Sequence, residues 1–482
     1  MKQLDRQVLT GLAGRPVDLP AARLLNQPER VLQFGTGVLL RGLADDLIDA
    51  ANRSGVFNGR VVMVKSTASG NDQASFEKQD MLYTHCRRGL RNGRLVDTAS
   101  INASISRVLT AGDHWPEVLA CVENPAIRII ISNTTEAGLR LTPADRLEDS
   151  PPASFPAKLL SVLYRRYQSR GGLAAEGLVI LPTELVERPG RLLQELVSGL
   201  ARQLNLPPDF IDWLGRANYF CDTLVDRIVP GTPPGDERSA IEQKLGYRDP
   251  LMIMSEPYGL WAIEAEAPAV VETLNFAAAC PEVVVAGDIS RYREMKLRLL
   301  NGTHTFACGM ALLRGFSTVK EAMADRDFGR FAERLMVGEI VPCLPAGLRE
   351  DALAFAEAVV ERFKNPFLEH SWQKIAVHAS EKMQARNLPL ILRQRDLSFA
   401  RPPEMMALGL AAFLVFAGGA VPGDSAGPLR GRALAVEDER AIASWPAFAD
   451  RVRHYVLQLL ERGAARVLAE ANAPTPPESN HV

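Results

Sequence analysis

The arrangement of apolar segments is the strongest constraint on how this 482-residue chain folds. In the first part of the chain, short β-branched runs ending in small or polar residues alternate with segments of helical periodicity. These runs are "RVLQFGTG" (30–37), "GRVVMVKS" (59–66), "IRIIISNTTEAG" (127–138), "EGLVILPTEL" (176–185) and, later, "EVVVAGD" (282–288). Strands that alternate with helices are typical of a parallel sheet covered on both faces. The pattern predicts an α/β fold with a mostly parallel sheet.

The second part of the chain carries a different pattern. From about residue 290 to 471 the segments are almost all helical in period, for example "REDALAFAEAVVERF". The chain is also too long for one ordinary domain. We therefore predict a sheet domain over residues 1–284 and an all-helical C-terminal domain over residues 285–482. The apolar run 405–420 is shorter than the roughly 20 residues of a membrane span, which favours a buried core helix.

Composition excludes several classes of partner. With 55 Lys and Arg against 57 Asp and Glu, the formal charge is −2, so nothing points to nucleic acid. The six cysteines are far apart and show no zinc-ligand spacing, so we expect neither a disulfide framework nor a metal site. The first residues lack the apolar segment of a secretion signal. We expect a cytoplasmic protein with no membrane or nucleic-acid partner, and its oligomeric state stays open.

The first strand leads into a Gly-x-Gly turn and a helix, an arrangement that suits a dinucleotide. Two glycines permit a tight turn and close approach of the backbone to a pyrophosphate, which the following helix N-terminus stabilises. The full fingerprint has a third glycine where this chain has Leu40, so an ordinary tight turn is nearly as good an explanation. The candidate cofactor-binding residues are Phe34, Gly35, Thr36, Gly37, Val38, Leu39, Leu40 and Arg41.

Polar residues follow the next strands as well. An acidic residue that accepts the ribose hydroxyls is expected after the second strand, but Lys65 and Ser66 stand there, so this position does not decide between NAD and NADP. The third strand ends with Asn133, Thr134 and Glu136, which suit a ribose or nicotinamide contact almost as well as a capped turn.

"KLRLLNGTHT" (296–305) places three polar side chains among leucines. On an α-helix of about 3.6 residues per turn, Asn301 lies roughly 140° and His304 roughly 80° around from Lys296. Since leucines and Phe306 indicate that much of this helix is buried, a lysine here is costly unless it is used.

These segments together resemble one family, the mannitol dehydrogenase family of polyol and sugar-acid oxidoreductases. The family helix Lys-x4-Asn-x2-His matches at Lys296, Asn301 and His304. Its GxGxxxR turn, "VDRI" and "RFxNP" motifs match "GTGVLLR" (35–41), "TLVDRIVPG" (223–231) and "RFKNP" (362–366). The resemblance extends from about residue 28 to 465, and "QFGTG", "SNTTEAG" and "LLNGTHT" are most similar to the branch that reduces a hexuronate.

The resemblance implies a Rossmann-type domain that binds NAD and a catalytic helical domain without a metal. It implies that Lys296 is the general acid and base, that Asn301 stabilises the reacting oxygen and that His304 orients the substrate. A hexuronate carboxylate needs a cation, for which Arg362 is the first candidate and Lys382 the second. Asp226 and Arg227 are expected to form an internal ion pair.

Three departures from the family qualify this assignment. Leu39 replaces a frequent Phe, the loop "PTELVERPGR" lacks a second asparagine, and Arg293 replaces a glutamate found in mannitol dehydrogenases. The last change argues against free mannitol and is compatible with an acidic substrate. The alternatives are another hexuronate reductase or polyol dehydrogenase of the family, a non-catalytic sugar-acid-binding protein, and a non-redox use of NAD.

Overall fold

A computed structural model of the chain describes residues 1–66, 73–134, 138–397, 401–418 and 434–473. The chain divides into two compact units. Unit 1 contains Met1–Arg88 and Leu95–Ile289, and unit 2 contains Gly89–Arg94 and Ser290–Val482.

The strands form one large and two small sheets. They are β1 (Glu29–Phe34), β2 (Arg60–Lys65), β3 (Tyr83–Arg91), β4 (Arg94–Asn102), β5 (Ile105–Thr110), β6 (Ile129–Ser132), β7 (Val179–Pro182), β8 (Tyr219–Phe220), β9 (Thr223–Asp226), β10 (Ile253–Ser255), β11 (Leu260–Glu264) and β12 (Val283–Ala286). The large sheet has the order β5-β2-β1-β6-β7-β8, and every neighbouring pair in it is parallel. The parallel sheet predicted from the sequence is therefore confirmed.

Strand β1 lies in the middle of this sheet, and its side chains alternate between two cores. Val31 belongs to the core on one face, whereas Leu32 and Phe34 belong to the core on the other. Phe34 stands opposite Val64 of β2 and Ser132 of β6. In open parallel sheets, ligands bind at the carboxyl ends of the strands, at the point where the strand order reverses. The turn after β1 occupies that position.

The helices of unit 1 cover both faces of the sheet. They are α1 (Arg6–Leu9), α2 (Val38–Gly42), α3 (Ala44–Arg53), α4 (Gln73–Glu77), α5 (Ala111–Cys121), α6 (Phe155–Arg170), α7 (Pro189–Gln203), α8 (Pro208–Ala217), α9 (Gly235–Leu245) and α10 (Pro268–Thr273), with 3-10 segments at Ala22–Asn26, Ala174–Glu176 and Asn275–Ala279. The helical segment predicted after the first strand is interrupted at Leu43, whose φ of −127° and ψ of −76° separate α2 from α3.

The sequence predicted only some of the strands outside the large sheet. Segment 282–288 contains β12, but β12 pairs with β11 in a separate sheet of order β12-β11-β9. The sequence patterns missed β3, β4 and β10, which form the third sheet. Residues of β4 are mostly exposed or half-buried, so this strand has no continuous apolar run to reveal it.

Unit 2 is helical around one core, as predicted. Its helices are α11 (Ser290–Met295), α12 (Thr303–Leu313), α13 (Val319–Ala324), α14 (Arg326–Glu333), α15 (Val341–Cys343), α16 (Arg349–Phe363), α17 (Trp372–Ala376), α18 (Ala379–Lys382), α19 (Leu388–Asp396), α20 (Glu404–Ala417), α21 (Val436–Ala443), α22 (Pro446–Arg462) and α23 (Ala464–Ala471). Three segments are π-helical, Lys296–Gly302, Arg334–Ile340 and Met383–Asn387, and Ala346–Leu348 is a 3-10 turn.

Helix α20 contains the apolar run singled out from the sequence. Nearly all of its residues belong to the core of unit 2, where it packs against α12. The helices pass closely at two glycines, because a Cβ on Gly309 would lie 2.6 Å from the backbone nitrogen of Phe413, and one on Gly409 would lie 2.9 Å from the carbonyl oxygen of Phe306. Within the described residues, no helix is long and apolar enough to cross a membrane.

Candidate active site

The turn after β1 is an open cradle made of backbone. Gly35 has a φ of +130°, and a Cβ on it would lie 3.1 Å from both the carbonyl oxygen of Asn133 and Cδ1 of Leu40. Only glycine fits such a position without strain. Gly37 is exposed, and a Cβ on it would meet no atom of the described residues within 4 Å. The half-buried Thr36, Val38 and Leu39 surround this open space.

Three side chains proposed from the sequence for this turn instead point into the core. Phe34 packs against Phe155, with 5.3 Å between ring centroids, and Leu40 is 1 % exposed. Arg41 is 2 % exposed, and its Nη1 donates to the carbonyl oxygen of Leu251 at 2.7 Å. The guanidinium also lies over the rings of Phe76 and Tyr83. A role of Arg41 in binding a cofactor at this turn is therefore not favoured, because its charge is enclosed in the core.

The glycine at which α2 packs closely against its neighbours is Gly42, and the third glycine of the fingerprint would stand earlier, at Leu40. A Cβ on Gly42 would lie 2.8 Å from Cγ1 of Val229 and 3.5 Å from Cδ1 of Ile253. Gly42 therefore allows the close packing that the third glycine allows in the dinucleotide-binding fingerprint.

The carboxyl ends of β6 and β7 are joined by a buried glutamate that sequence analysis did not single out. Glu184 Oε1 accepts from the backbone nitrogen and the hydroxyl of Thr134, each at 3.0 Å, and its Oε2 accepts from the Ser132 hydroxyl at 3.1 Å. Burial raises the pKa of Glu184. Asn133 Nδ2 donates to the carbonyl and hydroxyl oxygens of Thr183 at 3.0 Å. These bonds favour a role of Asn133 and Thr134 in shaping the turn; Glu136 lies outside the described residues.

A second buried carboxyl group lies beneath the Gly-x-Gly turn. Nε2 of Gln33 donates to the carbonyl oxygen of Gly35 at 3.1 Å and to Oδ2 of Asp45 at 3.2 Å. Burial raises the pKa of Asp45 to about 7. Gln33 thus connects the turn to α3, a connection that no short motif in the sequence indicates.

The VDRI arginine supports the same region, but not through the partner expected. Nη1 of Arg227 donates to Asp46 Oδ2 at 2.7 Å and to the carbonyl oxygen of Gly42 at 2.8 Å, and Nε donates to the carbonyl oxygen of Tyr258 at 2.8 Å. The predicted ion pair between Asp226 and Arg227 was wrong. The guanidinium of Arg227 extends instead to Asp46 on α3. The pKa of Asp46 is held well below its usual range by His85, Arg87 and Arg227, which outweigh the opposing effect of its burial.

In unit 2, Lys296 and Asn301 lie in the π-helical segment Lys296–Gly302 between α11 and α12. A π-helix bonds residue i to residue i+5, so residues five apart lie nearly above one another. The segment therefore brings Lys296 and Asn301 onto one face, closer than the α-helical spacing predicted. Both residues are half-buried, so the lysine is less enclosed than the sequence suggested. Such π-helical insertions are frequent at functional sites.

His304 begins the next turn and is almost fully buried, at 6 % exposed. Its ring stacks on Phe363 with 4.2 Å between centroids and contacts His370 and Trp372 edge-on. Nε2 has no hydrogen-bond partner within the described part of the chain. Burial first, and then the neighbouring basic groups, hold the pKa of His304 well below its usual value. The histidine is therefore a neutral imidazole with one nitrogen available to a ligand.

The predicted carboxylate-binding residues lie around this imidazole. After burial, Arg362 and Lys382, together with His370 and Arg386, are the basic groups that lower the pKa of His304. Arg362 is 4 % exposed at the end of α16. Lys382 is half-buried and donates to the carbonyl oxygen of Ile375 at 3.0 Å. Sequence analysis missed Arg386, which is more than 80 residues from His304 along the chain.

Cys308 follows His304 by one helical turn but is buried, with its Sγ 3.6 Å from the carbonyl oxygen of Trp372. Burial raises the pKa of the Cys308 thiol to about 12, so it stays protonated and is a core residue. Across the described ranges, no group of three or more His, Cys, Asp or Glu side chains is placed to hold a metal ion.

Comparison with known families covers nearly all of this architecture. The family model described as the mannitol dehydrogenase Rossmann domain matches residues 29–275. The model of the mannitol dehydrogenase C-terminal domain matches residues 288–453. The Gly-x-Gly turn thus lies in the first match, and Lys296, Asn301, His304, Arg362 and Lys382 lie in the second.

Several curated relatives carry one name. An altronate oxidoreductase of Halalkalibacterium halodurans is 43% identical over 75% of this chain and 70% of its own length. A protein of the same name from Bacillus subtilis is 39% identical over 81% of this chain and 80% of its own length. Another from Klebsiella pneumoniae subsp. pneumoniae is 38% identical over 85% of this chain and 83% of its own length.

Two solved structures share the fold across both units. A mannitol 2-dehydrogenase of Pseudomonas fluorescens, in a ternary complex with NAD and D-mannitol, matches with a TM-score of 0.72 and 22% identity, over 97% of this chain and 99% of its own. A D-sorbitol dehydrogenase in substrate-free form matches with a TM-score of 0.78 and 20% identity, over 98% and 100%.

Proposed function

The chain belongs to the mannitol dehydrogenase family and is a polyol or sugar-acid dehydrogenase acting on CH–OH groups, and from this premise we propose that it reduces the keto group of tagaturonate to give altronate. The observation that carries the choice of a sugar acid is the set of basic groups around His304, namely Arg362, Lys382 and Arg386. The name of the relatives supports the same choice.

We propose NAD(H) as the cofactor, held by unit 1. The turn fits a dinucleotide because Gly35 adopts a conformation reserved for glycine and the space over Gly37 is open to a pyrophosphate. The Oγ of Ser66, which follows β2 and has no hydrogen-bond partner among the described residues, suits a ribose hydroxyl. Bound NADH supplies the hydride that reaches the substrate carbonyl carbon.

The proton and the stabilisation of charge come from unit 2. Reduction of a ketone develops negative charge on its oxygen. We assign Lys296 Nζ as the general acid that gives this oxygen a proton, and as the general base in the reverse direction. Asn301, on the same face of the π segment, donates a hydrogen bond to the oxygen. His304, neutral and with Nε2 available, orients a substrate hydroxyl.

The carboxylate of the substrate is assigned to the basic side of the site. Arg362 offers a planar fork that matches a carboxylate, and Lys382 adds a second positive charge. Replacing Arg362 by alanine should raise KM steeply for tagaturonate and much less for a neutral ketose. Equal losses on both substrates would make Arg362 a structural residue of α16.

The test is a screen of NADH oxidation with tagaturonate, fructuronate, fructose and their phosphates. We expect the highest kcat/KM with tagaturonate. A preference for fructuronate would assign the chain to the other hexuronate reductases, and a preference for fructose would make it a polyol dehydrogenase. Binding of these compounds without net NADH consumption would contradict the proposed reaction.

A further inference from the structure

Several basic residues influence His304 from different parts of unit 2. After burial, the four largest influences on the pKa of His304 are His370, Arg362, Arg386 and Lys382, and all of them are basic. Like charges held together in a partly buried place repel one another, and an anion relieves that repulsion. The cluster therefore favours an anionic ligand.

Within the cluster, Arg386 is held in place by its backbone. It lies in the π segment Met383–Asn387, where Arg298 Nη1 donates to its carbonyl oxygen at 2.6 Å. The next residue, Asn387, donates through Nδ2 to the carbonyl oxygen of Gly302 at 3.2 Å. These bonds fasten the segment that carries Arg386 to the π segment that carries Lys296 and Asn301.

The guanidinium of Arg386 reaches toward the reacting residues. Nη1 donates to the hydroxyl of Thr305 at 3.3 Å, and that hydroxyl donates to the carbonyl oxygen of Asn301 at 2.9 Å. A guanidinium has five N–H donors, and this is the one side-chain bond it makes with the residues that the structure describes. No carboxylate within the described ranges pairs with the Arg386 guanidinium. Burial lowers the pKa of Arg386.

We propose that Arg386 is a specificity-determining residue whose guanidinium binds the carboxylate of the substrate and selects hexuronates over neutral ketoses. The inference rests on the proposed function and names a residue for its choice of substrate. In this role Arg386 acts beside Arg362 and Lys382, and the Lys382 ammonium also donates to the carbonyl oxygen of Ile375. A planar fork also binds a carboxylate through two parallel bonds, which an ammonium does not.

The experiment compares Arg386→Gln, Arg386→Lys and the control Arg453→Gln. Arg453 is an exposed arginine on α22 with a surface ion pair to Asp450, so its replacement removes the same charge far from His304 in sequence. For each purified full-length protein, kcat/KM is measured for tagaturonate and for the neutral ketose tagatose, and altronate and altritol binding are measured by calorimetry with NAD present.

We expect Arg386→Gln to lower kcat/KM for tagaturonate by about 10- to 100-fold and that for tagatose by less than about threefold, the loss typical of a hydrogen bond to a charged group. Altronate binding should weaken similarly and altritol binding should not. Arg386→Lys should fall between wild type and Arg386→Gln, and Arg453→Gln should match wild type. If Arg386→Gln does not fold, the selectivity of Arg386→Lys decides the question.

Two results would overturn the inference: equal losses on charged and neutral substrates, or unchanged selectivity in a folded Arg386→Gln protein that turns over tagaturonate. Failure of the proposed function gives a different result, because wild type would then oxidise no NADH with hexuronates. In that case altronate binding that is lost in Arg386→Gln would support the role of Arg386, and its retention would contradict it.

Discussion

At the scale of single residues, Lys296 is the assigned proton donor, and its removal has a defined consequence. Lys296→Ala should lower kcat by about two to four powers of ten while leaving the Kd for NADH nearly unchanged, because the proposed cofactor residues lie in unit 1. Stopped-flow hydride transfer and fluorescence titration of NADH measure the two quantities. Lys364→Ala removes an exposed lysine paired with Glu333 and should keep wild-type turnover. Near-normal turnover in a folded Lys296→Ala protein would exclude the lysine as the acid.

His304 is expected to make stability depend on pH. Its folded pKa lies well below the value of 6.5 for a free imidazole, through burial and the surrounding His370, Arg362, Arg386 and Lys382. The unfolded chain therefore binds a proton that the folded chain does not. The neutral form stabilises the fold above about pH 6.5, and this contribution is lost as the pH falls below it.

His304→Phe should flatten this dependence, since a phenyl ring keeps the stacking on Phe363 but binds no proton. The change in unfolding free energy between pH 7.5 and 5.5 should be smaller than in wild type by about 1.4 kcal/mol, the contribution of one proton bound by the unfolded chain with a pKa of about 6.5. Urea unfolding at pH 7.5 and 5.5 measures it. His454→Gln, on an exposed part of α22, is the control. A slope equal to that of wild type in His304→Phe would show that the imidazole is not buried neutral.

At the scale of elements, the Gly-x-Gly turn allows strain and ligand binding to be tested separately. Gly35→Ala should lower Tm, because its φ of +130° and the 3.1 Å contacts leave no room for a methyl group. Gly37→Ala should leave Tm unchanged, because the space around its Cβ is open among the described residues, yet weaken NADH binding at least about tenfold by occupying that space. Unchanged NADH affinity in Gly37→Ala would make this an ordinary turn.

The contact of α12 with α20 tests how the helical core is held together. Gly309→Ala should destabilise unit 2 by about 1–3 kcal/mol, because the added methyl group meets the backbone of Phe413 and Ala412, which cannot move aside as a flexible side chain can. Gly338→Ala, in an exposed position with open space around its Cβ, should be neutral or slightly stabilising. Chemical unfolding followed by circular dichroism compares the two. Equal stability of both variants would contradict the close approach.

At the scale of the whole molecule, we expect the preference between NADH and NADPH to appear as a difference in how much each raises the thermal stability of the protein. A ligand at 100 times its Kd stabilises the folded chain by about 2.7 kcal/mol. NADH should therefore raise the Tm of the transition that includes unit 1 more than NADPH does at equal concentration, since Ser66 suits a ribose hydroxyl. Lys65, 9 % exposed beside it, would instead favour a 2′-phosphate. A larger Tm increase with NADPH would reverse the choice.

The sequence alone determined the architecture and predicted a candidate site. Alternating strand and helix patterns specified the parallel sheet, and the change to continuous helical period specified the second unit, because both are repeated local signals. The spacing Lys296, Asn301, His304 is also local and pointed to one helix. Apart from β12, the strands of the two small sheets were missed, because half-exposed strands such as β4 lack a continuous apolar run.

The tertiary structure decided which neighbours the polar side chains have. Arg227 pairs with Asp46, 181 positions away, and Arg386 reaches Thr305 across 81 positions, so no sequence spacing could reveal either contact. Arg41, Glu184 and the π segment that aligns Lys296 with Asn301 depend likewise on packing against distant segments. Hydrophobic period sets the elements, whereas burial and hydrogen bonding between remote elements set the chemistry of each charged group.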